Sequence, residues 1–390
     1  MDGLNKSIYD IGSDSAFSIM ARSNQLIKEG KDVINLGIGQ PDFPTPQNIV
    51  ESAIKALKDG HHGYTSSNGI LELREAIASD FYKRNKVNID PNEILVTPGG
   101  KAVIFYTLLM FGQPEAEIIT PDPGFIAYKS MIDYMGAKTI PLPHRMENNF
   151  SFDADEILSK ITKQTTLIMI NTPHNPSGGI TPPSEIKKLV SGLENYPNIT
   201  LFSDEIYDRL VFNTSPHSLL SYPEINDRLI ILNGWSKTFA MTGWRIGYGI
   251  WPAKVIEYAD KIGVNYHSCV NTPTQFAALA ATTGEQDCVD NMKEAFKRRA
   301  ELITENLNNI TGISCQMPGG AFYAFPNISQ LGVSSELIQN QLLEEYGVAV
   351  LAGTAFGCYG EGHLRFSSAN SDALINEACS KLKQLTLNYV

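Results

Sequence analysis

The sequence predicts an α/β fold, a large unit with a mostly parallel seven-stranded sheet followed by a smaller α+β unit, on the strength of three observations. Seven short runs, 93–97, 117–120, 138–142, 167–171, 199–203, 229–232 and 246–250, are rich in apolar and β-branched residues, as strands covered on both faces must be. Amphipathic stretches of helical spacing separate them. After about Thr283 this alternation gives way to a long polar helix and a few short strands. The division that follows is a large unit over 45–283 and a small one made from 1–44 together with 284–390.

In chain order, 15–29 reads as a helix and 33–36 as a strand, which have to pack somewhere and are expected to close onto the later small unit. The Leu/Ala/Ile spacing over 71–84 predicts a helix, and Thr181-Pro182-Pro183 is an entry signal for a second over 184–194. The long helix of the small unit spans 287–309, with short strands at 313–316, 322–325, 349–351 and 364–367.

Composition narrows the function. At 390 residues and 43% hydrophobic, the chain exceeds one core and supports two. A net charge of -11 with no basic block argues against nucleic acid or an anionic membrane as partner. The five cysteines, Cys269, Cys288, Cys315, Cys358 and Cys379, have neither CxxC pairing nor metal-ligand spacing, which suits a reducing compartment. Met1 to Asp10 carries acids and amides where a signal peptide needs an apolar core, and no apolar run is long enough to span a bilayer. The expectation is a soluble, cytoplasmic protein.

The chemistry centres on Lys237, within Asn233-Gly234-Trp235-Ser236-Lys237-Thr238-Phe239-Ala240-Met241-Thr242-Gly243-Trp244-Arg245. An ammonium among glycines and aromatics loses hydration, so it calls for a covalent or ionic partner. A lysine of depressed pKa condenses with an aldehyde, and an arginine nearby can grip a phosphate, a pairing that suits pyridoxal phosphate. Other polar residues fall at strand ends, where open sheets bind ligands. Gly99-Gly100-Lys101 follows one strand and opens a helix, so its backbone N–H groups can face a phosphate, although a plain turn explains the glycines as well. Asn171 to Gly178 follows a second strand, with Asn175 able to donate to a phenolate oxygen. Asp204 and Tyr207 follow a third, able to share one ligand, with an N-cap as the alternative for Asp204.

These residues resemble the class I pyridoxal-phosphate aminotransferases of fold type I, in the prokaryotic aspartate aminotransferase-like branch. The resemblance runs from about Asp32 to the C-terminus. It is carried by Asn35-Leu36-Gly37-Ile38-Gly39-Gln40-Pro41-Asp42-Phe43, Gly63-Tyr64-Thr65, Leu73-Arg74-Glu75-Ala76, Asn171 to Gly178, Ser203 to Tyr207, Ser236 to Tyr248 and His363-Leu364-Arg365-Phe366-Ser367. It implies Lys237 as the Schiff-base lysine and proton shuttle, Asp204 as partner of the pyridine nitrogen, and Asn175 with Tyr207 as donors to the ring oxygen. It further implies Arg245, Ser236 and the Gly99-Gly100-Lys101 amides at the phosphate, Phe125 against the ring, and Tyr64 reaching the partner subunit's phosphate across a homodimer. Gly39, Asn175 and Arg365 are implied at the substrate, Arg365 gripping its carboxylate. Core packing is the alternative for Phe125 and Tyr64, and a surface strand position for Arg365.

The chain departs from common family patterns at three places. Gly234 stands where many members have a phosphate-binding hydroxyl, leaving Ser236 or Thr97 to substitute. Phe125 replaces a tryptophan, and Gln40 a glutamate. The expected activity is transamination between an L-amino acid and a 2-oxo acid, with glutamate and 2-oxoglutarate as the common pair and aspartate, alanine or an aromatic amino acid as the other donor. A carbon–sulfur β-lyase on the same cofactor, or a non-catalytic binding module of this fold, are the competing readings.

Overall fold

Strict alternation of apolar side chains sends Leu95, Leu167, Met169, Ile230 and Leu232 to one face of a seven-stranded sheet and Ile94, Val96, Ile168, Ile170 and Ile231 to the other. Both faces are covered. The helices Gly100–Phe111, Ile126–Met135 and Ile256–His267 pack on the first. Leu71–Asn85, Pro183–Leu193 and Thr272–Thr283 pack on the second. The computed structural model describes every residue except 1, 2, 4, 13, 14, 215, 216 and 390, so those parts of the terminal readings lie outside the described residues.

Across the sheet the strands run in the order Ile94–Thr97, Gly247–Ile250, Leu229–Gly234, Thr200–Asp204, Thr165–Asn171, Glu117–Asp122 and Lys138–Pro143. All seven expected runs are strands. Gly247–Ile250 is antiparallel to both of its neighbours, while the other pairings are parallel. The exception has a physical basis: residues 235–246, which carry Lys237 and Arg245, return the chain directly beside Leu229–Gly234, the strand it has just left, without the crossover helix a parallel strand requires.

A separate core gathers Ile303 and Leu307, Ile338 and Leu342, and Ile375, Leu382 and Leu385 from the helices Asp287–Asn308, Ser335–Glu344 and Asp372–Thr386. Ile34 and Leu36 join it, because Ile34–Asn35 pairs in parallel with Val348–Ala349. The N-terminal strand therefore pairs with a strand of the C-terminal layer. Two details differ from the sequence reading. The run 349–351 is split, Leu351–Ala352 pairing instead with Leu364–Ser367, which in turn pairs with Tyr323–Ala324. The run 313–316 is no strand and keeps only the Ser314–Asn327 bridge, because the Asn308 side chain takes both the N–H and the carbonyl of Cys315 and stops the ladder there.

Candidate active site

The carboxyl ends of the parallel strands open into a cavity of about 490 Å³. Gly39, Gly100, Lys101, Phe125, Asn175, Asp204, Tyr207, Ser236, Lys237, Arg245 and Arg365 all line it, although they come from segments spread over the chain. Two of the residues singled out do not. Gly99 stands behind Arg245, and Tyr64 is 90% exposed on the outside of the chain.

Lys237 faces the cavity and is enclosed on its other sides. Burial and then the positive charges of Arg365 and Arg245 push its ammonium down to about 8, against a smaller opposing pull from Asp204. Its Nζ donates to the Gly39 carbonyl at 2.5 Å. A lysine in this state is neutral often enough near neutral pH to act as a nucleophile or a base.

Asp204 closes its strand, and a turn rather than a helix follows, so it caps no helix. Its Oδ1 accepts from the Ile206 N–H at 3.1 Å and its Oδ2 from the Tyr128 hydroxyl at 2.6 Å. Burial pushes the carboxyl up to about 6, and these two hydrogen bonds with the Lys237 charge hold it from going further. The turn delivers Tyr207, whose hydroxyl lies 2.7 Å from that of Tyr323, and burial keeps this phenol protonated.

Asn171 and Asn175 divide the work of the next loop. Asn171 is a brace: its Nδ2 donates to the Asp204 carbonyl at 3.0 Å and its Oδ1 accepts from the Asn175 N–H at 2.8 Å. Asn175 accepts through Oδ1 from Arg365 at 3.0 Å, which leaves its amide N–H groups as the donors on the other edge. Arg365 is 4% exposed, not a surface strand residue. Its guanidinium lies between the rings of Tyr323 and Phe356, 4.6 and 4.7 Å from their centroids, and it donates to the Gly37 carbonyl at 2.5 Å. Stacking fixes the plane in which its N–H groups point.

Arg245 and the N-terminus of the helix Gly100–Phe111 meet at the same cavity. Gly99 caps the helix Gly100–Phe111 with φ +86° and ψ 161°, and a Cβ there would stand 2.5 Å from an Arg245 terminal nitrogen. Arg245, itself at φ +54°, donates to the Thr242 carbonyl at 2.8 Å and so lies across the helix N-terminus. Guanidinium and helix dipole thus act on the same space. Of the two hydroxyls considered for this position, Thr97 does not line the cavity and donates to the Gly99 carbonyl at 3.0 Å, whereas Ser236 does line it. The Lys101 ammonium is 5.1 Å from the Phe125 ring and 5.7 Å from that of Phe17.

Sequence reasoning missed Tyr128, Tyr323 and Phe356. Tyr128 carried a local signal, three residues after Phe125 at the start of a helix, hence one turn away. Tyr323 and Phe356 carried none. Among the described residues, the five cysteines are free, no cluster of His, Cys, Asp and Glu is arranged to hold a metal, and no helix is long and apolar enough to cross a membrane.

Residues 31–382 match the family model described as aminotransferase class I and II. The chain is 39% identical over 362 residues to an aspartate aminotransferase of Pyrococcus horikoshii, covering 91% of this chain and 90% of that one. It is 35% identical to an aspartate/prephenate aminotransferase of Nitrosomonas europaea, covering 98% and 99%. The crystal structure of an aromatic aminotransferase from Pyrococcus horikoshii superposes with a TM-score of 0.88 at 34% identity, over 94% of this chain and 99% of that one. With both sequence and architecture matched over nearly their whole lengths, the chain belongs to the class I and II aminotransferases.

Proposed function

We propose that this aminotransferase uses pyridoxal phosphate to move an amino group between an L-amino acid and a 2-oxo acid, with glutamate and 2-oxoglutarate as the common pair. The observation that carries the reading is that Lys237, Asp204 and Arg365 face one cavity together with Arg245, which packs over Gly99 at a helix N-terminus. The donor set fits that cofactor: a lysine of lowered pKa for an aldehyde, a buried carboxylate for a pyridinium, a phenol and an amide for a phenolate oxygen, and a helix N-terminus with an arginine for a phosphate. When bound, the cofactor supplies the carbon that takes the amino group and a ring that accepts electron density from substrate Cα.

The protein's residues supply the rest. Asp204 holds a proton on the ring nitrogen by charge, and its burial makes that charge act through little solvent. Tyr207 and Asn175 donate to the ring oxygen. Arg245, Ser236 and the amides at Gly100 and Lys101 hold the phosphate, the Gly99 N–H being taken by the Thr97 carbonyl at 2.7 Å, and Phe125 lies against the ring. Arg365 receives the substrate carboxylate and, with Gly39 and Asn175, fixes which Cα–H bond faces Lys237. Lys237 would take that proton from Cα and return it to the cofactor carbon on the other side of the amino nitrogen. Lys101, a cation at the cavity mouth, favours a donor with a second carboxylate, which supports an aspartate aminotransferase-like preference for glutamate and aspartate.

The same reading assigns residues 45–283 to the cofactor-holding unit and 1–44 with 284–390 to a second unit that brings Gly39 and Arg365. The active form is a homodimer, supported by the exposure of Tyr64 away from its own chain's cavity. Free thiols suit a cytoplasmic setting. The test is a panel of amino donors against 2-oxoglutarate. Glutamate formation is expected with the unmodified chain, and none with Lys237→Ala at unchanged circular dichroism. Release of pyruvate and ammonia without an oxo acid would make the protein a lyase; borohydride fixing the cofactor to another lysine, with activity retained, would remove Lys237 from its role.

A further inference from the structure

Three parts of the cavity wall meet on Tyr323, a residue 1% exposed. Its hydroxyl lies 2.7 Å from the Tyr207 hydroxyl. Its ring lies 4.6 Å from the Arg365 guanidinium carbon. A Cβ on Gly39 would stand 2.2 Å from its hydroxyl oxygen, so the chain passes there only as glycine, and the carbonyl of that same glycine takes the Lys237 ammonium. Tyr207, Arg365 and Gly39 come from three distant segments, and Tyr323 touches each one.

The geometry points to Tyr323 as a positioning residue with two separable duties: its hydroxyl aims the Tyr207 proton at the ligand, and its ring face holds Arg365 in the plane that receives a carboxylate. The first duty follows from proton counting. A phenol has one proton, so Tyr207 can donate into the cavity only if Tyr323 supplies the proton of the bond between them. The order is then Tyr323 to Tyr207 to ligand oxygen, and each bond polarises the next. The second duty follows from the stack. Between the Tyr323 and Phe356 faces the guanidinium is kept from tilting, while its bonds to Asn175 and Gly37 set its place within that plane. Because Gly39 leaves room for the hydroxyl, one ring reaches both partners.

This inference rests on the cofactor and carboxylate reading above, and two variants of the holoenzyme test it separately. Tyr323→Phe keeps the ring and removes the hydroxyl; Tyr323→Leu removes both. The readouts are the pH midpoint of the bound cofactor's visible absorption and KM for each substrate. With Tyr323→Phe, Tyr207 becomes a weaker donor, the anionic ring oxygen is less stabilised, and the cofactor holds its proton to higher pH. The midpoint is expected to rise by roughly half a unit, the order given by a modest loss of hydrogen-bond polarisation, with KM inside about twofold. Tyr323→Leu is expected to move the midpoint likewise and to raise KM for both amino acid and oxo acid about fivefold, as loss of one cation–π face implies. A midpoint left in place by Tyr323→Phe, or a KM no higher in Tyr323→Leu than in Tyr323→Phe, overturns the inference alone. An unmodified chain with no Lys237-dependent visible band overturns the functional reading and this inference with it.

Discussion

Tyr128 sets how much charge Asp204 carries. Burial alone drives the carboxyl upward, and the 2.6 Å bond from the Tyr128 hydroxyl is the largest opposing influence. In Tyr128→Phe the donor is gone, so the folded-state pKa of Asp204 rises above about 6, and the group keeps its proton to higher pH. Less of it is ionised near neutrality. Single-turnover rates at pH 7 are expected to fall roughly tenfold, the scale of a hydrogen bond to a charged group, and the acid limb of the pH–rate profile to move upward. An unmoved limb would show that Tyr128 only packs. Lys237 and Arg245 stood out in the sequence as cations in a glycine- and aromatic-rich run, and Asp204 and Asn175 as polar residues at strand ends; all four line the cavity. Tyr128 and Tyr323 did not stand out: their partners lie 76 and 116 residues away, and a buried phenol in a sequence looks like any other core aromatic. Arg365 reads equally as surface or site until its two stacking rings, one on each side, are located.

Strands and helices were legible where apolar spacing is sustained, as in Thr165–Asn171 or Leu71–Asn85, and illegible where side-chain hydrogen bonds decide. Cys315 illustrates this: it has strand-like neighbours, but Asn308 takes its backbone groups. The direction of Gly247–Ile250 was likewise hidden, since apolar patterning has no sign along the chain. The helix Gly100–Phe111 opens at the end proposed to face the phosphate. Gly99 holds φ +86° with ψ 161°, a region open to almost nothing but glycine, and has Arg245 where a side chain would go. Gly99→Ala therefore strains the cap and pushes the guanidinium off the helix axis. Affinity for the phosphorylated cofactor is expected to fall tenfold or more, about 1.4 kcal/mol, with a milder loss for free phosphate. Equilibrium titration of the apoprotein measures both, and equal affinity in variant and wild type would detach Gly99 from anion binding.

At the scale of the molecule, the chain presents a cavity and, outside it, the exposed Tyr64. If Tyr64 serves the opposite subunit, mixing Tyr64→Ala chains with Lys237→Ala chains yields hybrids in which one cavity has an intact lysine and an intact tyrosine from its neighbour. Activity approaching half that of the wild-type dimer, per hybrid, is the expected result, and persistent inactivity would assign Tyr64 to its own chain. The pairing of Ile34–Asn35 with Val348–Ala349 has a consequence in time as well as in space. The Gly37 carbonyl and the Arg365 guanidinium that it receives are 328 residues apart. At about 5–20 residues per second, synthesis leaves the first strand without its partner for roughly 15 to 65 seconds. During that interval the sheet can assemble behind it, but Ile34 and Leu36 have no layer to enter and the cavity has no wall on that side. The ribosome must therefore release nearly the whole chain before any active site exists, and the nascent protein has to keep an apolar strand out of wrong pairings until then.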